Sequence, residues 1–466
     1  MPTMHNTPRD ESLTDIRYTI HPLSAAVTLH HIHTTRFKTA RLSVLTTRPA
    51  DRRESPLATL LFGVMRRGSE RYPRLSALNR ALDELYGTTL TIHNYLHGDN
   101  HVLAFTAEMP EDIYLPAIES DEGTRCLPAD LLALLSDLFL HPLTEEDGTL
   151  CRSVVEAEKA ALCDSLRALV NDPRTWASNR LCELMCPDEP YGLSIGGTVE
   201  TVTALTAEDL TAHRANFLAT TRFEVFYVGR TPAADIAEAW MTHFGAMSPS
   251  PVARPLSLPH PPAAAHRAVE ETLPISQGKL VMGWACGETT ATLQDDPRAL
   301  AALYVANELF GVMQASLLFR HVREELGLCY YCESALDMTK GVLTVSAGIR
   351  SDRREAAEAA IRSRLAALQA GEIDPHDVEL ARLSLENGYR QMPDSRGAME
   401  YDRLRRLLSG SPLTAEEELA AIRAVTPADV AAAARRFRPD TTFFLRGTAS
   451  DDEALWEEDH LEEELL

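Results

Sequence analysis

Apolar residues recur along the chain at two spacings, and the alternation between them divides it into matching blocks. Leu78–Gly87 (LNRALDELYG) has the three-and-four spacing of an amphipathic helix, and so has Leu318–Gly327 (LFRHVREELG). Each ends on a glycine, the residue that most readily takes the left-handed conformation closing a helix. Strand-like segments follow, Thr88 to Asn94 in the first copy and Leu328 to Ser334 in the second. A turn and another strand come next, Val102 to Ala107 and Val342 to Ala347. A second pair of blocks lies later: Leu205–Leu210 (LTAEDL) matches Val425–Val430 (VTPADV). Thr206 and Thr426 have the chemistry of helix N-caps, Asp209 and Asp429 fall in the first turn, and Pro427 takes the first helical position. These helices lead into strands at Phe223–Val228 and Thr441–Leu445. Two matched blocks in the same order point to two similar halves; chance likeness between amphipathic helices is the alternative.

Other helices fit the same plan. Asp374 caps one with Pro375 at its first position, and Val378, Ala381, Leu385 and Tyr389 form its apolar stripe; Glu355 to Leu368 is another. Strands and helices mix without strict βαβ alternation. The expected class is therefore α+β: two halves, each a mainly antiparallel sheet with helices packed on one face. Between them runs SPSPVARPLSLPHPP, Ser248 to Pro262, where proline blocks both helix and central strand. The expected division is an N-terminal half at residues 1–247, an exposed linker at 248–266, a C-terminal half at 267–448 and an acidic tail at 449–466. From Ser450 to Leu466 nine of seventeen residues are acidic, the mark of a solvated end. Trp456, Leu461, Leu465 and Leu466 leave room there for a short docking helix.

Composition narrows the partners. The 466 residues are 45% hydrophobic and 24% charged, ordinary for a globular protein, and the net charge of −23 repels nucleic acid and anionic membranes. Only four lysines occur (Lys38, Lys159, Lys279, Lys340); codon bias explains the scattered arginines better than anion recognition does. The start, MPTMHNTPRDESL, lacks the basic-then-apolar order of a signal peptide. The most apolar stretch, Leu131 to Leu143, is shorter than the roughly 20 residues a membrane span needs. A cytoplasmic location is expected, with the eight cysteines as free thiols.

HExxH, HxxEH and a Walker phosphate loop are all missing. His93, His97 and His101 would share one stripe of a helix, but Gly98-Asp99-Asn100 is turn chemistry and its flanks are strand-like, which disfavours a self-sufficient metal hydrolase. His30, His31 and His33 alternate on a strand without an adjacent carboxylate. Cys329-Tyr-Tyr-Cys332 lies inside a strand and has no second pair, so buried structural cysteines are expected, as for Cys182 and Cys186. Tyr191–Thr198 is glycine-rich but has neither phosphate-loop lysine nor GxGxxG spacing. Arg323, near a helix end, and Tyr330, in the following strand, could converge as guanidinium and phenol donors on one carbonyl; a surface arginine and a half-buried tyrosine are the plainer reading.

At this point the residues resemble a family. Leu318–Tyr331 (LFRHVREELGLCYY) is similar to the C-terminal signature of the pitrilysin/insulinase-type metallopeptidases. Pro190-Tyr-Gly192, Gly197-Thr198 and Leu205–Leu210 resemble another of its blocks, and Arg67–Pro73 followed by Leu82–Gly87 is most similar to the YfmF-type subgroup, associated by name with elongation factor P modification. The resemblance spans roughly residues 20–448 and implies a clamshell of two halves. Active members carry HxxEH shortly before a Gly-Thr; here the three key positions fall on Thr59, Phe62 and Gly63. Only the third zinc ligand has a candidate, Glu158, for which a solvated helix acid is the simpler account. One carboxylate cannot replace three protein ligands. The family's substrate-gripping arginine and tyrosine match Arg323 and Tyr330. Heterodimeric members divide zinc and this pair between two chains. The resemblance thus implies a non-catalytic subunit, inactive alone and without its own zinc or other cofactor. Its partner would be a zinc-bearing homologous subunit and its substrate a peptide or small protein. The alternative is a peptide-binding scaffold that adds a strand to a sheet edge, with no peptidase partner.

Overall fold

The computed structural model describes residues 16–115, 119–120, 123–124 and 126–448; the expected acidic tail lies outside the described residues. In chain order the first part holds β1 (Arg17–Pro22), β2 (Val27–His33), β3 (Thr39–Pro49), α1 (Glu54–Arg67), α2 (Leu75–Glu84), β4 (Thr89–His97) and β5 (Asn100–Pro110). The short pair β6 (Glu119–Ser120) and β7 (Gly123–Thr124) follows, then α3 (Leu127–Leu140), α4 (Arg152–Ala168), α5 (Pro173–Met185), α6 (Val199–Ala204), α7 (Ala207–Thr220), β8 (Arg222–Gly229) and α8 (Ala233–Phe244). The second part has β9 (Arg267–Leu273), β10 (Gly278–Ala285), α9 (Pro297–Asn307), β11 (Cys329–Asp337), β12 (Val342–Ile349), α10 (Arg354–Ala370), α11 (Pro375–Gln391), α12 (Arg396–Ser409), α13 (Ala415–Arg423), α14 (Pro427–Ala434) and β13 (Arg438–Gly447). Between α9 and β11 the helix is π-wound at Glu308–Val312 and Phe319–Glu325.

The two-halves expectation is borne out at the level of topology. One sheet runs β1-β2-β8-β3-β5-β4 and the other β9-β13-β10-β12-β11, so the second repeats the first without its outer strand. Each has one parallel pair, β2 with β8 and β9 with β13, at the same place in the order; the other pairings are antiparallel. The helix closures match as well. Gly87 and Gly327 both take positive φ, and the N–H of the next residue reaches back to Leu82 and Val322 respectively. Thr206 and Thr426 cap α7 and α14 with full capping boxes, as their sequences dictate.

The chain forms two compact units, and neither is continuous in sequence. The first gathers the described residues of Met1–Arg167, Ser194–Pro255 and Met392–Arg405; the second those of Ala168–Leu193, Leu256–Gln391 and Arg406–Leu466. In the first, strand alternation sends Phe223, Val225 and Tyr227 of β8 toward a core shared with α1, α3, α7 and α8. The opposite face carries Ile32 and Val228 and is covered by Met392 and Met399. Its polar positions are satisfied too: Glu400 of α12 accepts from Arg41 Nε at 2.8 Å and Ser43 Oγ at 2.8 Å. In the second unit Leu280, Met282 and Trp284 face the main core with α9, α10 and α14. Val281, Phe443 and Leu445 face the other way, against Ala177 and Leu181 of α5.

The proline-rich segment has no helix or strand from Ser248 to Pro262, as expected. It is not uniformly exposed. Arg254 is held by Glu224 at 2.9 Å, and His260 is buried, because proline leaves backbone groups free but does not prevent side chains from being pinned. Among the described residues no helix is long and apolar enough to cross a membrane.

Candidate functional site

Helix α1 is where the resemblance would put a zinc site, and its side chains serve other ends. Thr59 Oγ1 donates to the Ile195 carbonyl at 3.1 Å and receives Asn94 Nδ2 at 3.1 Å. Phe62 is fully buried, stacked on Phe105 with centroids 5.1 Å apart and edge-on to Phe139 and Phe217. Gly63 leaves a gap on the α4 side: a Cβ there would lie 2.7 Å from Glu158 Oε2. The Glu158 carboxylate fills it and is ion-paired with Arg67, one turn along α1. Glu158 is thus not a solvated helix acid. It stands against the position of a missing ligand, with a guanidinium as its counter-charge. These residues do not fit a catalytic zinc, which needs three protein ligands and an open position.

Arg323 and Tyr330 lie at the other end of the repeat, where the first half has Asp83 and Leu90. Arg323 belongs to the π-wound turn Phe319–Glu325; its guanidinium sits 4.8 Å from the Phe319 ring centroid and 3.7 Å from Glu324. Tyr330 is on β11, at the edge of its sheet, and is 56% exposed. The pairing of β11 with β12 slips between Cys329 and Tyr331, so Tyr330 is the extra residue of a β-bulge. Bulges re-aim side chains, and this one turns the phenol outward. The matching strand β4 pairs with β5 without a slip. The structure makes no hydrogen bond between Arg323 and Tyr330; it places both, exposed, on either side of the Gly327 turn.

The bulge also alters the cysteine motif. In a regular strand residues three apart face opposite ways. Here Cys329 and Cys332 both pack on the main core of the second unit, and their thiols are hydrogen-bonded, which lowers the Cys329 pKa and raises that of Cys332. The histidines resolve as structural groups. His93, His97 and His101 lie on the β4–β5 hairpin, and His101 Nε2 meets Asn94 Oδ1 at 2.6 Å, with burial taking its pKa down to about 4. His30 does have a carboxylate beside it, Glu224 at 2.9 Å, brought from β8 by the parallel pairing that sequence spacing does not show. The glycine-rich stretch is a loop whose Thr198 caps α6.

Two halves of repeated topology, with a threonine, a core phenylalanine and a glycine at the three key positions of α1, resemble the build of inactive pitrilysin-type, or M16, chains. Residues 204–385 match the family described as Peptidase M16 inactive domain. The chain is 29% identical to the probable inactive metalloprotease YmfF of Bacillus subtilis over 91% of its own length and 96% of that protein. It superposes on a conserved protein from Enterococcus faecalis with a TM-score of 0.82 at 27% identity, covering 93% of this chain and 99% of that one. A Peptidase M16 inactive domain from Pseudomonas fluorescens shares the fold, with a TM-score of 0.72 at 16% identity and coverage of 93% and 99%. The resemblance read from the sequence is borne out; the relative's name is spelled YmfF rather than YfmF.

Proposed function

We propose that this chain is the non-catalytic subunit of a heterodimeric pitrilysin-type zinc metallopeptidase. It would contribute Arg323 and Tyr330 to peptide binding in the partner's site. The observation that carries this reading is the bulge: it sets Tyr330 outward on an open strand edge, and the zinc-bearing counterpart position in the same chain is filled by Phe62 and the Arg67–Glu158 pair. The zinc then belongs to a homologous partner subunit, and the complex works on peptides or small proteins in the cytoplasm. Arg323→Ala or Tyr330→Phe should leave assembly intact and lower turnover by the mixed complex about 10²-fold, the low end for losing one oxyanion-type donor. The double variant should lose less than the product of the two, because the residues act as a unit. Unchanged turnover in both single variants, with the complex shown to be assembled, would remove the pair from the reaction. The edge position of β11 also supports a second reading, a scaffold that binds an extended peptide by strand addition without a peptidase partner. A peptide captured by the chain alone, with no zinc-bearing homologue copurifying from the native host, would favour it.

A further inference from the structure

A second cluster of ligand-type side chains lies in the unit that holds Arg323 and is independent of α1. Cys186 caps the end of α5, Glu189 follows in the next turn, and His260 comes from the proline-rich segment. Cys186 and His260 are both buried. His260 Nδ1 is 3.5 Å from Cys186 Sγ and 2.6 Å from Glu189 Oε1, and the three ligand atoms lie within 4.8 Å of one another. We infer that Cys186, Glu189 and His260 form a binding site for a divalent transition-metal ion, zinc above all.

The ligand spacing, the groups behind the ligands and their chemistry carry this. A tetrahedral zinc with ordinary bond lengths separates its sulfur and nitrogen ligands by about 3.5 Å, the spacing already present between Cys186 and His260. Glu189 would need to withdraw by less than about 1 Å to take the third position. The supporting contacts are those of a metal site: His260 Nε2 is held by Asp440 Oδ2 at 3.2 Å, fixing the ring with Nδ1 inward, and Glu189 Oε2 is held by Lys340 Nζ at 2.7 Å. A Cys186 thiolate and the Glu189 and Asp440 carboxylates would supply negative charge to offset a divalent cation, beside the Lys340 ammonium and Arg267. One sulfur, one nitrogen and one oxygen favour zinc over calcium or magnesium, which take oxygen alone. Cys186 packs beside Met185 and Val342, and its sulfur also reaches the His260 ring. Bound metal would fasten the proline-rich segment to the end of α5.

The test uses the full chain, stripped of metal and titrated with Co²⁺. One equivalent should give a thiolate-to-cobalt charge-transfer band that excess Zn²⁺ abolishes, and Zn²⁺ should raise the melting temperature. Cys186→Ser and His260→Ala should lose both effects. If those variants do not fold, Asp440→Asn keeps all three ligands and should weaken metal binding about 10- to 100-fold, the usual effect of removing the group behind a histidine ligand. No charge-transfer band in the wild type would overturn the inference. So would a band that survives Cys186→Ser, which would place the metal on another cysteine, or an affinity unchanged in Asp440→Asn. A melting temperature that falls equally in His260→Ala with and without Zn²⁺ would leave only a hydrogen-bonded clip.

Discussion

Glu111 is a carboxylic acid in an unfavourable place. It is 2% exposed, and although its Oε1 accepts the Arg230 N–H at 2.9 Å, burial raises its pKa from 4.5 to about 7. The sign of the consequence follows from linkage. Between about 4.5 and 7 the folded chain holds a proton that the unfolded chain has released, so this group lowers stability as pH rises through that window. Glu111→Gln should remove the slope: relative to wild type, the variant gains stability between pH 5 and pH 8, measured by urea denaturation at both. At this scale the sequence exposes residue types but not partners. Glu158 was visible as a candidate; that Arg67 would close on it was not, because the pair joins α1 to α4 across 91 positions. The same holds for Cys186 and His260, which are 74 residues apart.

The elements divide by whether their signals are local. The capped helices α7 and α14 and the glycine closures at Gly87 and Gly327 needed only a few neighbouring residues and were legible. The bulge at Tyr330 was not, because it exists only in the register of β11 against β12. Nor was the docking of α12 on the outer face of the first sheet, which rests on a buried network set by tertiary contacts. Glu400 joins Arg41 and Ser43 there, and Arg396 joins Glu108 at 2.8 Å. Removing one partner of a buried ion pair costs roughly 3–5 kcal/mol, and Arg41 would keep Glu108 at 3.1 Å, so Glu400→Ala should cost about 3 kcal/mol in a denaturant titration. The exposed pair Arg36–Asp394 serves as control: Asp394→Ala should cost less than about 1 kcal/mol.

At the scale of the whole molecule, each unit takes one segment from the far side of the repeat. The first sheet needs Met392–Arg405 on its outer face, and the second needs the α5 segment Ala168–Leu193. Hydrophobic periodicity marked α11 and the two repeats but held no sign of which unit each later helix joins. A chain of residues 1–247 should therefore not give a stable folded half: without Met392 and Met399 it bares Ile32, Phe37 and Val228. Expressed alone it should be largely insoluble, and coexpression with residues 248–466 should restore soluble protein. Soluble, cooperatively melting 1–247 would mean that the outer helix contributes little.

The aromatic filling of α1 works as a ratchet on descent. If an ancestor carried the metal, its return would require three substitutions, and each one alone makes the fold worse. Phe62→Glu would set a carboxylate among three phenylalanine rings at a cost of several kcal/mol. Gly63→His would drive a Cβ to 2.7 Å from Glu158 Oε2 while Arg67 still claims that carboxylate. Thr59→His would give up two hydrogen bonds. None of the three changes alone would therefore assemble a set of zinc ligands on α1, and each carries its own cost to the fold.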